Sequence, residues 1–200
     1  QYHDNIVDIS QFAKDVTGGT LPAVSWVDAT FSVDGAKEQS EHPPADMQVG
    51  QKWVYDQIKL LMDSEYWKNT VIFVTYDEHG GLYDHVPPPK ACAPDEIAPK
   101  NASDAALGGF DQRGFRVPVF VVSPYTKSHY VSHVVHDHTS ITRFVETLFD
   151  LPALTKRDAN ADAMLDFFDF VAPPFVMPPS LDEPPVDQTK LDACVALYPP

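Results

Sequence analysis

Apolar residues along the chain fall into two patterns. Three short runs, at residues 23–27 (Ala-Val-Ser-Trp-Val), 71–76 (Val-Ile-Phe-Val-Thr-Tyr) and 117–122 (Val-Pro-Val-Phe-Val-Val), are rich in β-branched and aromatic residues. They read as buried strands. Their apolarity is continuous rather than alternating, which predicts a parallel sheet covered on both faces. Helical spacing fills the intervals. Ile6, Ile9, Phe12, Ala13 and Val16 make a stripe over residues 4–16, and Val49, Trp53, Ile58, Leu61 and Met62 make one over 49–62. A third stripe, Ile141, Phe144, Val145, Leu148 and Phe149, predicts a helix over 140–149 with Asp137 or Thr139 as its N-cap. The interleaving predicts an α/β fold, a mainly parallel sheet with helices on both faces.

Proline sets the boundaries. There are 19, nearly twice the usual share, and many stand in pairs or triplets such as Pro43-Pro44, Pro87-Pro88-Pro89 and Pro184-Pro185. From residue 172 onward they are expected to preclude regular structure. The predicted organisation is an α/β region over residues 1–171 and a Pro-rich tail, 172–200, that wraps the surface.

Composition narrows the function classes. The 200 residues are 44% apolar and 22% charged, which excludes a disordered or fibrous protein. Fourteen Lys and Arg against 29 Asp and Glu leave a net charge of −15. That field repels nucleic acid, so no nucleic-acid partner is expected. No apolar run reaches membrane-spanning length, no basic amphipathic helix marks a lipid surface, and no integral membrane segment is expected. The sequence opens at Gln1 rather than Met, so the absence of a leader decides nothing. Cys92 and Cys194 lie far apart in Pro-rich surroundings, which suits a disulfide pinning the tail in a secreted protein. The alternative is two unrelated thiols. Asn101-Ala102-Ser103 is a formal glycosylation acceptor that agrees with a secreted, extracellular, periplasmic or cell-wall location.

Chemistry concentrates after the run at 71–76. Asp77-Glu78-His79-Gly80-Gly81-Leu82-Tyr83-Asp84-His85 follows it directly. In open α/β sheets the C-terminal ends of strands are where ligands bind. Carboxylates hold hard cations, while zinc or iron also accept imidazole. Asp77 and Glu78 point to opposite faces of an ideal strand, so both reach one ion only where the chain turns, as Gly80 and Gly81 permit. The bland alternative is a solvated acidic turn. A second cluster, His129, His133, His136 and His138, packs four of the eight histidines into ten residues. Its spacing is compatible with metal ligation or proton transfer. His138 stands out because a helix N-terminus carries free N–H groups suited to an anion. His42, between Glu41 and Pro43, is isolated. There is no Walker loop, GxGxxG, GxSxG or CxxC. A cation carrier with histidines on an α/β frame points to hydrolysis of a phosphate ester, where positive groups neutralise developing oxyanion charge and an imidazole moves the proton.

Ordered motifs over residues 4–170 carry a resemblance. They are Asn5-Ile6-Val7-Asp8, Leu21-Pro22-Ala23-Val24-Ser25-Trp26-Val27, Ser40-Glu41-His42-Pro43-Pro44 and Thr75-Tyr76-Asp77-Glu78-His79-Gly80-Gly81. Tyr83-Asp84-His85-Val86-Pro87-Pro88-Pro89, Gly114-Phe115-Arg116-Val117-Pro118, Ser123-Pro124-Tyr125 and His138-Thr139-Ser140-Ile141-Thr142-Arg143-Phe144 follow in order. The chain resembles the phosphoesterase family of non-specific phospholipases C and related acid phosphatases. The resemblance implies an alkaline-phosphatase-like α/β fold, a divalent metal ion of unspecified identity and a hydroxyl nucleophile. It implies Asp77 and Glu78 as metal ligands, His42 facing the substrate phosphate, and His85 and His138 as further pocket residues, with His79 at a motif position of less defined role. Substrates would be phosphate esters, either phospholipid head groups or phosphomonoesters.

One departure limits the expectation. Members of this family are longer, and their first motif is a Glu-Asn pair, with the nucleophilic Ser or Thr after it. No Glu-Asn dipeptide occurs in this sequence. The chain thus resembles a C-terminal portion that lacks the N-terminal strands, two metal ligands and the nucleophile. Two expectations follow: half of a phosphoric ester hydrolase awaiting an N-terminal segment, or an inactive remnant that binds an anion or metal.

Overall fold

The computed structural model describes residues 3–30, 38–101, 103 and 108–198, so Gln1, Ala102 of the glycosylation triplet and the terminal Pro199-Pro200 lie outside the described residues. The chain divides into two compact units, Gln1–Thr70 with Phe175–Pro200, and Val71–Pro174.

In the first unit, α1 spans Ser10–Gly18. It begins later than its apolar stripe, because the Asp8 carboxylate accepts the Ser10 N–H (2.9 Å) and diverts the backbone before the first turn. Gly19 ends it in the left-handed region (φ 74°), with its N–H donated to Asp15 O. Helix α2 spans Met47–Met62, and its N-cap Asp46 accepts the Gln48 N–H. Val16, Leu61, Met62, Trp67 and Leu191 are buried, and the Trp67 indole donates to Phe175 O (3.0 Å). Residues 23–27, expected to be a strand, are irregular, with Trp26 and Val24 exposed. A β-branched run becomes a strand only where a neighbour pairs with it. The tail also differs from expectation. Helix α5 forms over Gln188–Leu197, past the last internal proline at Pro185, and its cap Asp187 accepts from Thr189 and Lys190 N–H. The Asp187 N–H in turn donates to Gln48 Oε1 (2.7 Å).

The second unit carries the strands β1 (Ile72–Thr75) and β2 (Val119–Val122). They pair antiparallel, with Ile72 opposite Val122 and Thr75 opposite Val119. Among the described residues this two-stranded pair is the whole sheet, so the mainly parallel sheet expected above is not what forms. Continuous apolarity marks a strand here but fixes neither its direction nor full burial. A parallel partner needs a crossover, usually a helix, and the described residues between β1 and β2 form Pro-rich loops and turns instead. Helix α3 (His138–Phe149) starts at the expected place. Asp137 caps it by accepting the Thr139 N–H, and Ser140 closes a reciprocal capping box. The short α4 (Lys156–Ala159) follows, capped by Thr155. An aromatic chain ties these elements together. Phe73 of β1 meets Phe144 of α3 edge-on at 5.1 Å, Phe144 lies 5.4 Å from Phe168, and Phe168 stacks on Phe170. Each such pair contributes about 0.5–1.5 kcal/mol beyond its burial. Backbone bonds from Lys127 N to Phe167 O and from Asp169 N to Tyr125 O pin residues 125–127 along 167–169.

Cys92 and Cys194 are free thiols here, so the structure does not show the expected disulfide. Cys92 Sγ lies 3.4 Å from Lys156 O in the second unit, and Cys194 Sγ 3.8 Å from Pro44 O in the first.

Candidate functional site

Strand β1 delivers Asp77 and Glu78 to an exposed loop just past its C-terminal end. Backbone amides orient both carboxylates. Asp77 Oδ1 accepts the Glu78 N–H (3.0 Å), and Glu78 Oε2 accepts the Gly80 N–H (2.9 Å). Those bonds need the chain to double back at once, and Gly80 and Gly81 supply it with φ values of 65° and 74°. The His79 ring sits 3.3 Å from Glu78 Oε2 through Nδ1 and packs on Phe115 with centroids 4.4 Å apart.

The loop is clasped further on. The Asp84 carboxylate takes a forked ion pair from Arg116, with Nη2 at 2.7 Å and Nε at 3.0 Å, plus the Arg116 and Val86 backbone N–H groups. The guanidinium first, then the amides, hold its carboxyl well below the usual carboxylate range. Two motifs distant in sequence, around Asp84 and around Arg116, thereby become one loop pair. Backbone bonds from Ala91 N to Asp111 O and from Arg113 N to Pro89 O extend it. His85 is exposed and meets Tyr83 edge-on at 5.2 Å.

From the other side comes α3. His138, its first residue, places Nε2 2.7 Å from the Tyr76 carbonyl, adjacent in sequence to Asp77. A carbonyl only accepts, so Nε2 carries the proton and a neutral His138 presents Nδ1 as its acceptor. Asp137 holds this end of the helix through Thr139 and through Arg113 Nε at 2.9 Å. Burial pushes its carboxyl up, but these donors outweigh that and leave it below its ordinary value. His136, Asp137 and His138 line a small cleft of about 90 Å³ with Thr75, Val117, Val119, Ile141 and Met164.

The structure therefore brings Asp77, Glu78, His79 and His138 to one end of β1, with His85 on the same loop. His42 belongs to the first unit, where its Nδ1 lies 2.8 Å from Pro43 O. One group was not anticipated from the sequence. Among the described residues, the set of three or more His, Cys, Asp or Glu side chains whose donor atoms converge within 4.8 Å is His136, Asp162 and Asp166. His136 belongs to the histidine-rich stretch, and Asp162 and Asp166 are spaced by four residues. Nothing in the sequence shows that these two stretches meet.

Asp77 and Glu78 fit a divalent cation by donor type, being hard oxygen ligands already oriented by amides. Two carboxylates alone leave most of a coordination sphere to other groups. Carboxylates and imidazoles therefore gather beside a strand end of a mixed α/β chain. Similarity to known proteins supplies the family. Residues 1–152 match the phosphoesterase family, and the chain belongs to it. It is similar to phospholipase C B of Mycobacterium tuberculosis, 37% identical over 174 residues that cover 82% of this chain and 32% of that protein. Non-specific phospholipase C1 of Arabidopsis thaliana is 37% identical over 172 residues, covering 79% of this chain and 32% of the relative. The non-hemolytic phospholipase C of Burkholderia pseudomallei is 37% identical over 147 residues, 68% of this chain and 20% of its own length. The chain thus spans about a third or less of the curated relatives it matches.

Proposed function

We propose that this chain supplies the cation-binding and imidazole part of a phosphoric ester hydrolase whose substrates are phospholipid head-group esters or related phosphomonoesters. The observation that carries this reading is the meeting of His138 with the Tyr76 carbonyl beside Asp77 and Glu78, within the stretch that matches the family. A divalent cation held by Asp77 and Glu78 would neutralise charge that develops on phosphate oxygens. His138, with Nε2–H fixed on a carbonyl, keeps its other nitrogen ready to accept or return a proton at the alcohol oxygen. His85, exposed on the same loop, is the further imidazole assigned to the phosphate. Gly80 and Gly81 serve the site indirectly by folding the Glu78 carboxylate back onto the amide that orients it.

The hydroxyl nucleophile is assigned outside this chain, because the Glu-Asn motif that precedes it in the resemblance is absent from these 200 residues. A covalent route needs that hydroxyl. On this reading the isolated chain binds divalent cation and phosphate ester without sustained turnover.

The test pairs assays of p-nitrophenyl phosphate and phosphatidylcholine hydrolysis with metal-binding calorimetry. The protein is the chain itself, alone and within a full-length relative that carries the same motifs. Asp77→Asn with Glu78→Gln is expected to lower turnover of the full-length enzyme by roughly 10²-fold or more, the scale set by loss of a charge-stabilising group. Full turnover by the 22.2 kDa chain alone would remove the claim about the nucleophile. Unchanged turnover in the double variant would remove the metal assignment.

A further inference from the structure

We propose that His136, Asp162 and Asp166 form a separate site for a transition-series divalent cation, zinc or manganese, that fastens the loop before α3 to the turn after α4. The proposal does not rest on the hydrolase reading. It rests on the geometry of one imidazole between two carboxylates. His136 Nδ1 lies 3.6 Å from Asp162 Oδ1, and His136 Nε2 lies 3.7 Å from Asp166 Oδ1. The side chain of His136 is 10% exposed. Its Nδ1 is buried without a hydrogen-bond partner, and so is Asp166 Oδ1. Two buried polar atoms without partners are costly unless a further group satisfies them.

The competing explanation is a protonated His136 acting as counter-ion to the two aspartates. Both pairs fall within ion-pair range, but neither closes to a hydrogen bond, which leaves Nδ1 and Asp166 Oδ1 unsatisfied. Hydrogen bonds from ring nitrogen to carboxylate oxygen close to about 2.7–3.2 Å, and both gaps here are wider. Each residue gives one ion a single donor atom, and these atoms lie within 4.8 Å of one another. For His136 that atom is the unpartnered Nδ1, whose 3.6 Å to Asp162 Oδ1 is close to the about 3.4 Å between two ligands on bonds of about 2.1 Å at a tetrahedral angle. The remaining contacts hold the ligands in place without filling the gap. Asp166 Oδ2 accepts from Ser132 Oγ (2.5 Å) and Tyr130 OH (2.8 Å), and Ser132 Oγ lies 3.2 Å from His136 Nε2. Asp162 Oδ1 accepts the Met164 N–H (2.7 Å). That bond sits at the buried Met164, whose φ of 57° turns the chain so that Asp162 and Asp166 face the same way. Two oxygens and one imidazole nitrogen favour zinc or manganese over magnesium, which prefers oxygen throughout. The donor set leaves room for water to complete the sphere.

The consequence is mechanical. Residue 136 is two positions from His138, so an ion here fixes the segment that presents His138 to the Tyr76 carbonyl.

Zinc and manganese titrations of the chain, by calorimetry and by electron paramagnetic resonance of manganese, test the site. The background is Asp77→Asn with Glu78→Gln, which removes the other candidate site. One equivalent of zinc is expected to bind in this background and to raise the thermal midpoint, as any ligand of the native state does. Adding Asp162→Asn, at a half-exposed position, is expected to weaken binding by at least the roughly 10- to 100-fold that even an outer-shell partner contributes. His136→Gln should do the same, and circular dichroism identifies either variant if it fails to fold. No zinc binding in the background, or equal affinity with and without Asp162→Asn, overturns the proposal.

Discussion

Asp84 shows how one side chain joins two sequence motifs into one loop pair. Its carboxylate is largely covered, while Arg116 stays exposed, and four donors converge on it. The folded carboxyl is held below its ordinary value of 3.8. A depressed carboxyl contributes stability that is fully present above the unfolded value and is lost as pH falls through the folded one. The pair therefore acts from about pH 4 upward and fades only in stronger acid. Asp84→Asn is expected to lower the thermal midpoint at pH 7 and to lose that difference progressively below pH 4. Melting curves of both proteins across that range check it; a difference that persists undiminished in acid would contradict the assigned cause. The sequence displayed Asp84 and Arg116 inside separate motifs but not their partnership, because an ion pair across 32 residues leaves no periodic signature. The same limit explains His136. Its neighbours in sequence are histidines, whereas its partners in space are aspartates that lie beyond α3. The places of Asp77 and Glu78 past a strand end and of His138 at a helix start were legible for the opposite reason, since local pattern marks both.

At the scale of elements, α3 was legible nearly to the residue, because its stripe and its cap agree. Direction of pairing was not, and neither was the failure of residues 23–27 to become a strand. Both depend on what lies alongside rather than on the run itself. The packing of α3 against α4 also holds a feature no pattern reveals. Glu146 and Asp158 are both buried acids. Asp158 accepts the Leu154 N–H (2.6 Å) and the Thr155 hydroxyl. Burial pushes its carboxyl up, but bonds from Thr155 and Glu146 bring it below its ordinary value. Glu146 Oε1 meanwhile is buried without a partner, and Arg143 reaches only Oε2, at 3.4 Å. Two carboxyl groups side by side share at most one proton between them, which leaves acceptors in excess of donors. Glu146→Gln supplies an amide N–H with almost unchanged shape. We expect it to stabilise the second unit by about 1 kcal/mol, the net value of one satisfied hydrogen bond. Chemical denaturation reads this directly, and a destabilised Gln variant would show that the ionised Glu146–Arg143 pair is the stronger interaction.

Over the whole molecule two opposing surface properties meet. The net charge of −15 keeps copies apart. Against it stand apolar side chains that the described fold leaves open, including Phe120 of β2 at 61% exposure and Trp26 at 70%. None of the residues in β1 or β2 is fully buried, although their composition is that of strands covered on both faces. Two strands alone are marginal, and they persist here because Phe73 packs on Phe144 of α3. A short apolar strand pair whose edges are open among the described residues is a template for further strands, so the balance between repulsion and apolar contact sets the state of the isolated chain. Salt tests that balance, because screening shortens the reach of charge to about 10 Å at 0.1 M and about 3 Å at 1 M while leaving apolar attraction intact. Light scattering is therefore expected to report growth in particle size as sodium chloride rises at neutral pH. Phe120→Ser should suppress much of that growth without altering the helical circular dichroism. A size that stays constant from low to high salt would mean that charge is not what holds copies apart. Growth that is equal in the Phe120→Ser variant would place the apolar contact elsewhere than on β2.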